Sequence, residues 1–144
     1  MAICNFLKGD FTESKQQILA AEKIHAEILP DFKNEKVYQS YLLKLLEWHE
    51  NQYTRFETSE NSQVLYVLGE SHSLVSHHLH IQCSGINFLC NARLIKGCKQ
   101  WHLGNAFRNQ YKHQFETIFF ALPKHSYVLV AIGEIDCRLD TGII

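Results

Sequence analysis

Val64-Leu65-Tyr66-Val67-Leu68-Gly69-Glu70-Ser71-His72-Ser73 carries the strongest fold signal in the chain. An apolar run of β-branched, aromatic and leucine residues, free of charge, meets a glycine and then a polar cluster. A second stretch has the same form. Tyr127-Val128-Leu129-Val130-Ala131-Ile132 leads into Gly133-Glu134-Ile135-Asp136-Cys137-Arg138. Short, unbroken apolar runs of this kind read as strands of a parallel sheet buried on both faces. Ligands of open α/β sheets bind at the carboxyl ends of such strands, so both polar clusters fall where a site belongs. The first offers a serine, the second carboxylates and a guanidinium.

The segments around these strands complete an alternating pattern. Leu74 to His80 reads as a short helix or turn. A second strand comes from Ile86–Cys90 or from Ala92–Ile95, ending at Gly97. From about Gly104 to Leu122 the residues Phe107, Tyr111, Phe115, Ile118, Phe119 and Leu122 share one stripe, a helix that Pro123 ends. Strands alternating with helix predict an α/β fold, here a three-layer arrangement around a partial flavodoxin-like parallel sheet. Such a sheet needs both faces covered, and one long crossover helix is evident. Either the amino-terminal helices cover the second face, or apolar surface stays exposed and the protein self-associates.

Residues 1–60 read differently. Thr12 or Ser14 caps a helix running to about Leu29, where Pro30 marks the stop, and a second helix spans about Glu35 to Gln52. The outline of this hairpin, with Leu7, Gly9 and Phe11 ahead of the first helix, resembles one tetratricopeptide unit; an ordinary helical hairpin is the plainer reading, and no second copy follows. The polar stretch Thr54 to Gln63 is the linker to the α/β region, residues 61–144.

Composition narrows the function classes. The 144 residues suit one domain, or one with a small appendage. Fourteen basic and 15 acidic residues without long runs give no support for nucleic acid or an anionic membrane as a partner. No segment approaches the roughly 20 apolar residues of a membrane span. The amino terminus lacks the charge and apolar pattern of a signal peptide. Five cysteines without a Cys-x-x-Cys pair read as free thiols rather than as disulfides or a zinc site. A cytoplasmic location is the expectation, and no cofactor is implied.

A serine on a tight turn after a strand projects its hydroxyl at the sheet edge, where helix amides face a developing oxyanion. Gly-x-Ser alone is a weak signal, because Ser71 in that place equally suits a helix cap. The blocks together say more. Gly69-Glu70-Ser71-His72-Ser73, then Gly97, then Gly133-Glu134-Ile135-Asp136 resemble the block order of the SGNH (GDSL-like) hydrolases, in a divergent branch. The resemblance covers about Val64 to Ile144, the amino-terminal part of such a domain. It implies that Ser71 is the nucleophile and that the Ser71 and Gly97 amides serve the oxyanion hole. A serine esterase acting on a small-molecule or glycan ester, such as an acylated carbohydrate, follows by family analogy. Ile135 replaces the family's oxyanion asparagine, and losing one such donor costs about 10²–10³ in rate. Asn105 and Arg138 are candidate substitutes. The family's Asp-x-x-His block is absent from these 144 residues, and a serine without a positioned base is a poor nucleophile. The competing expectation is therefore a non-catalytic binding or interaction module derived from the same fold.

His72 leaves the turn in a different direction from Ser71, which disfavours it as base. Glu134, Asp136 and Arg138 alternate, so on a continuing strand they share one face. Asp136 and Arg138 there hold a substrate group, or orient the serine turn through Glu70 or His72, or form an ion pair closing the strand. His77, His78 and His80 are dense, yet no carboxylate or cysteine stands at ligand spacing within the cluster; no metal site is expected. Trp101 and His102, just after Gly97, are placed to line a pocket, although a core tryptophan is the commoner outcome.

Overall fold

The computed structural model describes residues 1–28, 33–53 and 61–137. The chain divides into two compact units, Met1–Glu57 and Thr58–Ile144.

In the first unit a short helix α1 (Ala2–Leu7) precedes two long ones, α2 (Phe11–Ile28) and α3 (Lys33–Tyr53). Gly9 ends α1 at φ +80°, the left-handed conformation that glycine favours. Its N–H donates to Phe6 O at 2.9 Å, and Asp10 N–H donates to Asn5 O at 2.9 Å. Asp10 then starts α2, its Oδ1 accepting from Glu13 N–H at 3.0 Å. The cap is thus Asp10 rather than Thr12 or Ser14. Ser14 is buried in the first turn, where its hydroxyl donates to Ala2 O at 2.9 Å. Phe6, Ile18, Leu42, Leu45 and Leu46 form the core of this unit. The rings of Phe6, Phe11 and His49 meet there at centroid distances of 5.3–5.4 Å. Pro30 and most of the expected linker lie outside the described residues.

The second unit is an α/β arrangement. Strands β1 (Gln63–Gly69), β2 (His80–Cys83), β3 (Ile86–Leu94) and β4 (Tyr127–Ala131) form one sheet in the order β2-β3-β1-β4. β1 pairs in parallel with β3 and with β4, while β2 pairs antiparallel with β3. The parallel strands therefore stand second–first–third, the order that opens a flavodoxin-like sheet. Successive crossovers place β3 and β4 on opposite sides of β1, so the crevice between the carboxyl ends of β1 and β4 is the topological switch point. Val67, Leu68, Leu74, Phe88, Cys90, Ala92, Ile95 and Cys98 make the core.

Several elements depart from the sequence expectation. β3 spans both candidate segments for the second strand. Strand β2 was hidden by its histidine-rich approach, yet its two-residue loop Ser84-Gly85, at φ 51° and 79°, has the type I′ geometry that hairpins favour. The crossover from β1 to β3 contains a 3-10 turn, Ser71–Ser76, held by the fully buried Leu74. The helix expected from about Gly104 to Leu122 is shorter, α5 (Gln110–Phe120), and a separate short helix α4 (Gln100–Gly104) precedes it. Asparagines delay the start of α5. Asn105 Oδ1 accepts from Phe107 N–H, and Asn109 Oδ1 accepts from the N–H groups of Tyr111 and Lys112, each at 3.0 Å. Such acceptors compete with helix continuation and favour a new helix start.

β4 is an edge strand among the described residues. Tyr127, Leu129 and Val130 are 44%, 51% and 50% exposed, so the strand is not buried on both faces as its apolar run suggests. Phe120 on α5 is exposed as well. No helix among the described residues is long and apolar enough to cross a membrane.

Candidate functional site

Gly69 ends β1 where the serine turn folds back against β4. A Cβ added there would lie 2.4 Å from Ala131 O and 2.9 Å from Ser73 Cβ, so the approach requires glycine. The 3-10 turn that follows is shaped by its own serines. Ser73 N–H and Ser73 Oγ both donate to Glu70 O, at 2.9 and 2.7 Å. Ser76 Oγ donates to Ser73 O at 2.7 Å. Ser71 is only half-buried, and its hydroxyl donates to Glu70 Oε2 at 3.2 Å.

Glu70 is 1% exposed. A carboxylate so buried needs several donors. Its Oε2 accepts from the Ser71 hydroxyl and from His72 N–H at 3.1 Å, and lies 2.9 Å from His72 Nδ1. The same Nδ1 lies 3.4 Å from Oε2 of Glu134, which comes from the far side of the switch-point crevice. The side chains of His72 and Glu134 are 48% and 45% exposed, so the imidazole bridges a buried carboxylate and a solvated one. One ligand atom from each of Glu70, His72 and Glu134 lies within 4.8 Å of the others. Sequence spacing assigns no metal ligand here because Glu70 and Glu134 are far apart in the chain and meet only through the β1–β4 pairing.

The second and third segments are tied to this turn. Ile95 N–H donates to Gly69 O at 2.8 Å, and Cys98 N–H donates to Ile95 O at 3.1 Å, closing a turn with Gly97 at φ +71°. Gly133, at φ +130°, takes the chain out of β4, and Ile135–Cys137 form a 3-10 turn. Glu134 and Asp136 therefore do not share a strand face. Asp136 is 7% exposed and accepts from Gln100 N–H at 2.6 Å and from Trp101 N–H at 3.4 Å. It thereby caps α4 from a distant segment. Asn105 stands at the other end of α4, about 7.5 Å along the helix axis, where its backbone O accepts from Lys112 Nζ. Arg138 lies outside the described residues.

Cys98 reads from the sequence as an ordinary buried thiol, and the structure confirms its burial. Burial, then the Asp136 carboxylate, then the Glu70 carboxylate push its thiol up to about 11. Its Sγ donates to Lys99 O at 3.7 Å, beside the first amides of α4 that Asp136 accepts from. Nothing in Gly97-Cys98-Lys99 signals that position.

The histidine cluster belongs elsewhere. His77 is a core residue whose Nδ1 accepts from Ala92 N–H at 3.0 Å. His78 packs on His77 at a centroid distance of 4.2 Å. Burial, and secondarily the neighbouring His80, lower its basicity. Trp101 is 45% exposed rather than core, its ring 4.3 Å from that of His102. A groove of about 260 Å³ bordered by Gln63, Tyr66, Lys124 and Tyr127 opens at the opposite, amino-terminal end of the parallel strands. Compared with known proteins, the chain matches no family model, no curated protein and no solved structure.

Proposed function

We propose that the second unit is an SGNH-like serine ester hydrolase domain with Ser71 as nucleophile. The supporting observation is the convergence of three strand-end segments at the switch-point crevice: the Ser71 turn on Gly69, the Gly97 turn joined to it by Ile95 N–H, and the Gly133–Asp136 segment joined to α4 by Asp136. In this reading Ser71 Oγ bonds to the ester carbonyl carbon and the alcohol departs with a proton. Water then cleaves the acyl-enzyme, releasing the acid and restoring the hydroxyl. The Ser71 and Gly97 amides stabilise the intermediate oxyanion. Glu134 and His72, both half-exposed, face the entering substrate. An acylated carbohydrate is the substrate class, carried by the family resemblance.

A binding module on the same fold is the second reading, and two observations favour it. The Ser71 hydroxyl donates to the Glu70 carboxylate. Ile135 stands where the family pattern has a side-chain oxyanion donor. Hydrolysis of p-nitrophenyl acetate separates the readings. The hydrolase reading expects turnover that falls to background in Ser71→Ala, whereas equal rates in the two proteins assign the binding module.

A further inference from the structure

We propose that Glu70, His72 and Glu134 bind one divalent transition-metal ion of the manganese–zinc class. The inference goes beyond the hydrolase reading, since it requires no role for Ser71.

Donor geometry is the first argument. Bonds of about 2.0–2.2 Å from one ion to nitrogen and oxygen, at angles between octahedral and tetrahedral, separate neighbouring donors by about 2.8–3.6 Å. His72 Nδ1 stands 2.9 Å from Glu70 Oε2 and 3.4 Å from Glu134 Oε2. The Glu70 and Glu134 oxygens lie within 4.8 Å of each other, and the half-exposed Glu134 and His72 side chains can swing inward to bring all three donors to a common point. Three protein ligands leave further positions open to water or to a substrate oxygen, as in catalytic rather than structural sites.

Charge is the second argument. Two carboxylates share one imidazole, and one of them, Glu70, is buried. A doubly charged cation neutralises both carboxylates while keeping His72 as a neutral ligand. On coordination His72 presents the Nδ1 lone pair and carries its remaining proton on Nε2, the extra proton of an imidazolium going to solvent. Binding therefore weakens in acid. Two carboxylates with one imidazole suit manganese and zinc better than calcium or copper.

Position is the third argument. The cluster sits at the switch-point crevice between β1 and β4, the place where open α/β sheets receive ligands. The neighbouring Ser71 hydroxyl donates to the same Glu70 carboxylate. A cation held there favours the ionised form of a nearby hydroxyl or water.

The test is titration of the full chain with Mn2+, free ion being read by electron paramagnetic resonance. Mn2+ is preferred as the probe because the five free cysteines would compete for zinc. One Mn2+ per chain is expected, displaced by Zn2+. Glu134→Gln and His72→Gln, which change half-exposed side chains, should each weaken binding by more than about tenfold while the circular dichroism spectrum stays unchanged. Saturable binding retained in Ser71→Ala, in a chain that hydrolyses no ester, supports the metal site and removes only the hydrolase reading. Absence of saturation up to about 1 mM Mn2+ overturns the site. So does equal affinity in the parent chain and both folded variants.

Discussion

Gly69→Ala tests the steric junction on which the candidate site depends. The added methyl would stand 2.4 Å from Ala131 O and 2.9 Å from Ser73 Cβ, the first a backbone atom and the second part of a buried residue. Ordinary contact begins at 3.4 Å, so the end of β1 must retreat from β4 by about 1.0 Å, the difference between 3.4 and 2.4. Gly69 is paired with both Ala131 and Leu94, so the retreat disturbs the sheet on two sides. Neither neighbour is the mobile end of a long side chain, which puts the cost near the top of the roughly 1–3 kcal/mol typical of overpacking. For a unit of this size each kcal/mol lowers Tm by about 4–8 °C. Calorimetry should therefore show the sheet unit of Gly69→Ala melting more than about 10 °C below the parent. Gly85→Ala is the control. No atom lies within 4 Å of its added Cβ, so only its φ of +79° opposes the change, at about 1–2 kcal/mol. A Gly69→Ala protein that melts no lower than Gly85→Ala would refute the close-approach argument.

Three further outcomes follow from the same packing. Burial lowers the basicity of His78, with His80 adding to the effect, and lowers that of His102 with Lys99 adding and Asp136 opposing. The folded chain thus binds fewer protons than the unfolded one below the ordinary histidine value of 6.5, and stability falls as pH drops through that range. Urea midpoints should decline between about pH 7.5 and about pH 5, less steeply in His78→Asn, which accepts the backbone φ of 60°; a flat profile would contradict the shifts. Cys4, Cys83 and Cys137 are exposed while Cys90 and Cys98 are buried, so Ellman's reagent should titrate three thiols rapidly and the other two only in denaturant. Rapid reaction of all five would show the sheet core to be open. The half-exposed Tyr127, Leu129 and Val130 of β4 favour self-association and binding of a hydrophobic dye; sedimentation as a monomer with no dye enhancement would show that this face does neither.

The sheet was legible because its strands are written in composition. Val64–Leu68 and Tyr127–Ala131 are too short for helices and too uniformly apolar for surface loops, and they became β1 and β4. β4 also shows what composition does not reveal, since an apolar run signals burial only if something covers it. The Gly9-Asp10 and Ser84-Gly85 pairs each contained readable punctuation, a helix stop before a cap and a hairpin turn. Apolar periodicity outweighed both signals. Asn105 and Asn109 likewise accept backbone N–H groups ahead of α5 and delay its start to Gln110, a local competition that periodicity does not register. In the site, the Ser71 turn could be located from Gly69 and the strand before it. The partners of that turn could not. Glu134 reaches His72, and Asp136 reaches the Gln100 amide, through strand pairing and a sharp exit at Gly133 rather than through any spacing in the chain.

A nucleophilic Ser71 at the switch-point crevice should react with an electrophile that traps active serines. Intact-mass analysis after incubation with a fluorophosphonate tests this most directly. One covalent adduct is expected, mapped to Ser71 by peptide sequencing and absent from Ser71→Ala. An unlabelled chain, or an adduct that persists in Ser71→Ala, would contradict a nucleophilic Ser71.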